Sequence, residues 1–149
     1  MPKAKDLMTT NTVWVDPDDP VDKAISLMLA HGLGSLPVID FSGRLLGIIS
    51  EFDLLELAWE QESRGNEVYR YMTREVKCVH EEDKLVNVVE QFRLHGVQQL
   101  PVVRESRLIG MVSRRDVLRN FRRPLVNLPL GLQAAQLETP GPLQAVVQN

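Results

Sequence analysis

A chain of 149 residues has room for one ordinary domain or two very small ones. Its 44% hydrophobic and 25% charged content is that of a globular protein, no apolar run is long enough to cross a membrane, and a single cysteine, Cys78, excludes an internal disulfide. The net charge of -3 conceals a division: residues 1–64 carry net -6 and residues 65–123 net +4, so a polyanionic ligand is drawn to the second half.

The opening "MPKAKDLMTT" lacks the apolar core of a secretory signal, which together with the lone cysteine fits a reducing, cytoplasmic setting. "TVWV" at 12–15 is β-branched and aromatic and reads as a short strand. "DPDDP" at 16–20 turns into a helix, with Asp19 as N-cap and Pro20 at the first helical position. Val21, Ala24, Ile25, Met28 and Leu29 then recur at helical spacing, and Gly32 ends the helix as a left-handed cap. "LPVI" at 36–39 is a strand, "DFSGR" a turn, and "LLGIIS" at 45–50 a second strand that completes a hairpin. A helix follows from Glu51.

The pattern then recurs. "HGLGSLPVID" from His31 returns as "HGVQQLPVVR" from His95, 64 positions on, and Met8-Thr9 returns as Met72-Thr73. After one residue is lost in a loop, "GIISEFD" at 47–53 returns as "GMVSRRD" at 110–116. In the second copy Glu82 or Asp83 caps the helix, Leu85, Val88, Val89 and Phe92 form its stripe, and Gly96 ends it. Leu36-Pro37-Val38 and Leu100-Pro101-Val102 put proline at the start of the central strand, where it costs no ladder bond. The expected fold is α+β: two β-α-β-β-α units, 1–64 with a connecting helix and 65–123, each too small to bury a good core alone and so packed as a pseudo-twofold pair. Residues 124–149 form a tail with four prolines and one charge, too apolar for a solvated linker.

The Met-Thr start, the HG…LPV stretch and the Gly-apolar-apolar-Ser-x-x-Asp ending, each present twice, resemble a tandem pair of CBS domains, a Bateman module, over roughly residues 7–122. The resemblance implies a regulatory, non-catalytic module. Such pairs form parts of AMP-activated protein kinase, inosine monophosphate dehydrogenase, chloride channels and magnesium transporters, or stand alone. They bind adenosine-containing ligands such as AMP, ADP, ATP or S-adenosylmethionine in clefts between the units, with no required cofactor. A homodimer is also implied, joined through helices whose apolar surface here would come from Leu54, Leu55, Leu57, Val117, Leu118 and Phe121.

Ser50-x-x-Asp53 and Ser113-x-x-Asp116 have two readings. As capping arrangements, the serine accepts from the first helical turn and the acid reaches back. As ligand sites, the helix N-terminus favours phosphate and the carboxylate accepts from ribose hydroxyls. The resemblance assigns one cleft to Ser113, Arg115 and Asp116 with Asn11, Val13, Leu33 and Gly34, and the other to Ser50, Phe52 and Asp53 with Lys77, Val97 and Gln98. Val13 and Leu33 would flank the adenine, although ordinary core packing explains them equally well. Arg114 and Arg115 beside Asp116, with Arg119 one turn on, offer guanidinium groups to a phosphate, whereas Glu51 and Phe52 stand beside Asp53. An anionic ligand is therefore expected to favour the Asp116 cleft.

Other features carry less. His31 and His95 suit helix C-termini and have no second metal ligand at suitable spacing; His80 reads as solvated. Trp14 and Trp59 read as packing residues. "RRDVLRNFRR" at 114–123 reads as a solvated helix face, with a nucleic-acid patch as the distant alternative. No nucleophile–base pair, P-loop or metal cluster occurs. The competing reading to a ligand module is a structural dimerisation module with vestigial clefts, favoured by Phe52, Glu51 and the lack of a hydroxyl residue just before either acid.

Overall fold

The computed structural model describes residues 1–60 and 65–121. The expected tail at 124–149 lies outside the described residues. The first unit contains α2 (Val21–His31), the hairpin β1 (Ser35–Ile39) and β2 (Leu45–Ser50), and α3 (Glu51–Trp59). The second contains β3 (Val79–His80), α4 (Leu85–His95), the hairpin β4 (Gln99–Arg104) and β5 (Arg107–Ser113), and α5 (Arg114–Asn120). Two elements have no counterpart in the sequence reading: a one-turn helix α1 (Ala4–Leu7) and a 3-10 turn at Val68–Arg70, which occupy equivalent places 64 residues apart.

Both hairpins are antiparallel, and β3 adds to β4 in parallel. The expected strand at 12–15 shrinks to a single parallel bridge, Val15 to Val38. Proline is the reason. It is not at the strand start, as expected, but the third residue of both β1 and β4. The Pro37 carbonyl accepts from Val15 N–H, and Ile39 N–H donates to the Val15 carbonyl, both at 3.1 Å. The next rung would need an N–H on Pro37 for the Val13 carbonyl, and proline has none. Pro101 stands in the same place above Lys77. Among the described residues, neither the Val13 nor the Lys77 carbonyl accepts a hydrogen bond from the chain.

The long helices begin one residue later than read from the sequence. Pro20 and Lys84 hold the N-cap positions, and neither offers a side-chain cap. Asp19 instead accepts from Asp16 N–H, and Asp83 from His80 N–H, each at 2.9 Å, so these acids hold the turn ahead of the helix. Gly32 and Gly96 end their helices in the left-handed conformation, with φ of 63° and 62°. Leu29, expected in the apolar stripe, points outward. The residue missing from the second copy lies in the hairpin turn, which Glu105 and Ser106 complete at positive φ.

The sequence repeat and the packing unit are offset. Ala4 and Leu7 lie in the second unit's core with Val79, Val88, Phe92, Leu100 and Val112. Val68 and Met72 lie in the first unit's core with Val15, Ala24, Leu36, Val38 and Ile49. Backbone bonds follow the same exchange. Ala4 N–H donates to the Asp83 carbonyl and Val68 N–H to the Asp19 carbonyl, both at 2.8 Å. Thr9 pairs with Met111 in β5, and Thr73 with Ile48 in β2. The methionine before each threonine lies over a strand glycine: a Cβ on Gly110 would stand 2.6 Å from Met8 Sδ, and one on Gly47 2.8 Å from Met72 Sδ. Lys3 and Lys5 fasten the first segment further by pairing with Glu82 of the second unit.

Gly110→Ala should therefore lower stability by about 1–3 kcal/mol. Met8→Ala in that background should restore only part of the loss, because the Thr9 carbonyl, 2.9 Å from the added carbon, is backbone. Urea unfolding of the three proteins measures both. The Glu82 carboxyl, hydrogen-bonded by Lys3 and Lys5, is held down to about 2 from an ordinary 4.5. Its contribution is therefore complete above about pH 4.5 and is lost as pH falls toward 2. Glu82→Gln should flatten that part of the stability–pH curve, and added salt should reduce the difference because the pair is exposed.

Candidate functional site

The exchange aligns each Met-Thr segment with a strand that leads into a Ser-x-x-Asp sequence of the other unit. Two clefts result. One, of about 330 Å³, is lined by Thr9, Asn11, Thr12, Val13, His31, Leu33, Ser35, Pro37, Gln99, Met111, Ser113, Asp116 and Arg119. The other, of about 480 Å³, is lined by Gly34, Ser35, Ile48, Ser50, Glu51, Phe52, Thr73, Glu75, Val76, Lys77, Gly96, Val97, Gln98, Gln99 and Pro101. Ser35 and Gln99, the first residues of β1 and β4, border both.

Most of the residues singled out in the sequence meet in the expected groups. Asn11, Val13, Leu33, Ser113 and Asp116 line the first cleft; Ser50, Phe52, Lys77, Val97 and Gln98 line the second. Gly34 borders the second cleft rather than the first, with the Glu51 carboxylate 2.9 Å from where its Cβ would stand. Arg115 lines neither and faces outward beside Leu118 and Phe121. Asp53 sits behind the wall of its cleft and reaches it through Thr73, whose hydroxyl donates to Asp53 Oδ1 over 3.4 Å.

Both Ser-x-x-Asp sequences form complete capping boxes. Asp53 Oδ2 accepts from Ser50 N–H at 2.9 Å and Oγ at 3.0 Å; Asp116 Oδ2 accepts from Ser113 N–H at 2.8 Å and Oγ at 2.9 Å. In return Asp53 N–H and Asp116 N–H donate to the serine hydroxyls at 3.2 Å. Glu51 N–H and Arg114 N–H are bound by the Gly34 and Gln98 carbonyls. These bonds occupy most of the first-turn donors that the sequence reading offered to a phosphate. Asp116 is only 9% exposed, and its box uses only Oδ2. Arg119 Nη1 donates to Oδ1 at 2.6 Å.

The expected guanidinium cluster is dispersed. Arg114 donates to the carbonyls of Gly96 and Val97, both at 2.7 Å, and so closes the C-terminal end of α4. With Arg115 turned out, Arg119 is the guanidinium that remains in the Asp116 cleft. The same bonds commit Arg114 of the basic 114–123 stretch to backbone carbonyls; Arg122 and Arg123 lie outside the described residues. His31 also lines this cleft, a place its helix-terminal position did not reveal. Thr73 and Glu75 were missed too, since nothing local marks them. Trp14 and Trp59, expected to pack, are 44% and 88% exposed. Cys78 is half-buried, and burial pushes its thiol up, away from nucleophilic use. Among the described residues no group of His, Cys, Asp and Glu could hold a metal ion, and no helix is long and apolar enough to cross a membrane.

Paired α+β units with a Ser-x-x-Asp cleft on each side define a tandem-repeat architecture, and comparison with known proteins identifies it. The CBS domain profile matches residues 4–60 and again 68–123, so the chain belongs to the CBS domain family as a tandem pair. It is 34% identical over 118 residues to a 17.7 kDa protein of Acidianus ambivalens, covering 78% of this chain and 71% of that one. It is 32% identical over 123 residues to the inosine-5'-monophosphate dehydrogenase of Methanocaldococcus jannaschii, covering 82% of this chain but only 24% of the enzyme. Among solved structures it resembles CBSX2 in complex with AMP, with a TM-score of 0.76, 29% identity, and 81% of this chain and 96% of that one covered. It also resembles the CBS domain pair of MJ0100 in complex with 5-methylthioadenosine and S-adenosyl-L-methionine, at TM-score 0.70 and 25% identity, over 80% and 99% of the chains.

Proposed function

We propose that the chain is a regulatory module that binds adenosine-containing ligands in its two clefts. The observation that carries this reading is the Asp116 carboxylate. It is buried at the wall of a cleft, its Oδ2 is committed to the cap, and its Oδ1 is held only by the exposed Arg119 side chain, which a ribose diol could replace as donor. The unbonded Val13 carbonyl lies in the same wall and can accept from a purine amino group, with Leu33 available to the ring face. The adenosine compounds bound by CBSX2 and the MJ0100 pair support this class of ligand. A reducing compartment such as the cytoplasm suits the single cysteine. One observation favours the competing reading, a dimerisation module with vestigial clefts: Oδ1 of Asp116 is already occupied by Arg119.

Thermal denaturation with AMP, ADP, ATP, S-adenosylmethionine and 5-methylthioadenosine separates the two. A ligand at about 100 times its Kd should stabilise the protein by roughly 2.7 kcal/mol. Asp116→Ala should abolish the share of that stabilisation due to its own cleft. The absence of any shift with all five compounds would establish the vestigial reading.

We also propose a homodimer, with the first unit of one copy on the second unit of the other. Of the apolar residues expected at the contact, Val117 is core and Leu54 and Leu57 pack inward; Leu55, Leu118 and Phe121 are exposed. Leu29 and Trp59 join them, and a groove of about 540 Å³ runs between α2 and α3 past Leu29 and Leu55. Charge sets the orientation. α2 and α3 together carry three net negative charges and α4 and α5 two net positive ones, so like units would repel and unlike units attract. In a Cys78→Ser background, a mixture of Leu55→Cys and Leu118→Cys proteins should form a disulfide-linked dimer, and neither alone should do so. Efficient self-linking of either variant would reverse the orientation, and a monomer by light scattering at micromolar concentration would remove the dimer.

A further inference from the structure

The two clefts share one backbone plan, yet their aspartates are not equally available. Asp116 Oδ1 is held by Arg119 at 2.6 Å. Among the described residues, Asp53 Oδ1 meets only the Thr73 hydroxyl, at 3.4 Å. The residue that matches Arg119 in the first unit, 63 positions earlier, is Glu56, which is exposed and cannot pair with an aspartate. We propose that Arg119 is a specificity-determining residue: it holds the ribose-accepting oxygen of Asp116 and yields it to ligands that bring a phosphate, so the Asp116 cleft selects nucleotides over uncharged nucleosides. The inference rests on the ligand-binding reading above and adds which adenosine compounds each cleft takes.

The physical argument is one of exchange. A ribose diol competes with the guanidinium for Asp116 Oδ1 and gains full access to that oxygen once the guanidinium leaves. That step breaks a short charge-assisted bond to a carboxylate buried enough for water to be a poor substitute. The Arg119 side chain is 72% exposed against 11% for Asp116, so the arginine, not the acid, is the member free to move. A guanidinium displaced by a nucleotide finds a new partner at once, because the phosphate sits at the 5' end of the same ribose. A nucleoside with no phosphate offers nothing in return. Among the described residues no other cation lines this cleft, since Arg114 is bound to the α4 carbonyls and Arg115 faces away, and His31 is the one other titratable group in the wall.

The other cleft has the opposite bias. Among the described residues, Glu51 and Glu75 line it against a single cation, Lys77, with Asp53 behind. Phosphate is disfavoured there, and an uncharged or cationic adenosine compound, such as a thioether or sulfonium nucleoside, is admitted. The two clefts would thus sort adenosine compounds by charge.

Calorimetric titration of AMP, adenosine and S-adenosylmethionine tests this. Asp53→Ala protein isolates the Asp116 cleft, and Asp53→Asn, which keeps an acceptor oxygen for the cap, replaces it if the alanine variant is unfolded by circular dichroism. In that background AMP should bind at least tenfold more tightly than adenosine. Adding Arg119→Ala should weaken AMP tenfold or more and at the same time tighten adenosine several-fold. A merely structural arginine would move both affinities in the same direction, and that outcome, or an unchanged ratio, overturns the inference. If none of the three compounds binds the wild-type protein, the ligand-binding reading falls first and this one with it. S-adenosylmethionine should lose affinity on Asp53→Ala and keep it on Asp116→Ala; the reverse would overturn the assignment of the acidic cleft.

Discussion

Each unit keeps a glycine in the strand that leads to its Ser-x-x-Asp sequence, and the other unit's methionine lies on that glycine. Met8 covers Gly110 and Met72 covers Gly47, with a threonine backbone pairing just beyond each contact. Any side chain at the glycine would push the exchanged segment off the strand edge. That segment also supplies Ala4 and Leu7 to one core and Val68 and Met72 to the other. Neither unit is therefore complete without residues from its neighbour in sequence, which is the physical reason a repeat this short can bury a core at all.

The same contact builds the clefts. Once Thr9 is paired with Met111, the chain at 11–13 must run beside the end of β5, and so beside Ser113 and Asp116. Thr73 and Ile48 set residues 75–77 beside Ser50 in the same way. Proline then keeps these cleft walls from closing into sheet. Because Pro37 and Pro101 lack a donor, the strands at 15 and 79 stop short, and the carbonyls of Val13 and Lys77 remain without a partner among the described residues. A sheet that ran two residues longer would leave no acceptor there.

Against this near-symmetric backbone the side chains diverge where charge matters. Arg114 and Glu51 occupy equivalent positions, yet one binds the carbonyls at the end of α4 while the other lies over Gly34. Arg119 and Glu56 differ in the same sense. The division of charge between the halves is thus expressed twice, in the clefts and on the outer helices. The capping boxes do not diverge, since they hold the helix starts and tolerate little change.

The sequence alone determined what short-range geometry controls. The left-handed glycines at 32 and 96 and the two serine–aspartate boxes were legible because each depends on residues within about five positions of one another, the hairpins because short turns join their strands, and the repeat because it is a match of residue types along the chain. Resemblance to a known family supplied the grouping of distant residues into two clefts. Only the tertiary structure decided the rest. The exchange of residues 2–9 and 66–73 is a contact between chain segments far apart in sequence, and no local pattern in "MPKAKDLMTT" marks it. Arg114, Arg115 and Arg119 are alike in sequence, but helical rotation points them in three directions: to a helix end, to solvent, and to a buried carboxylate. Residue type established that positive charge lies near Asp116; the turn of α5 and the backbone carbonyls around it decided which single charge faces the cleft.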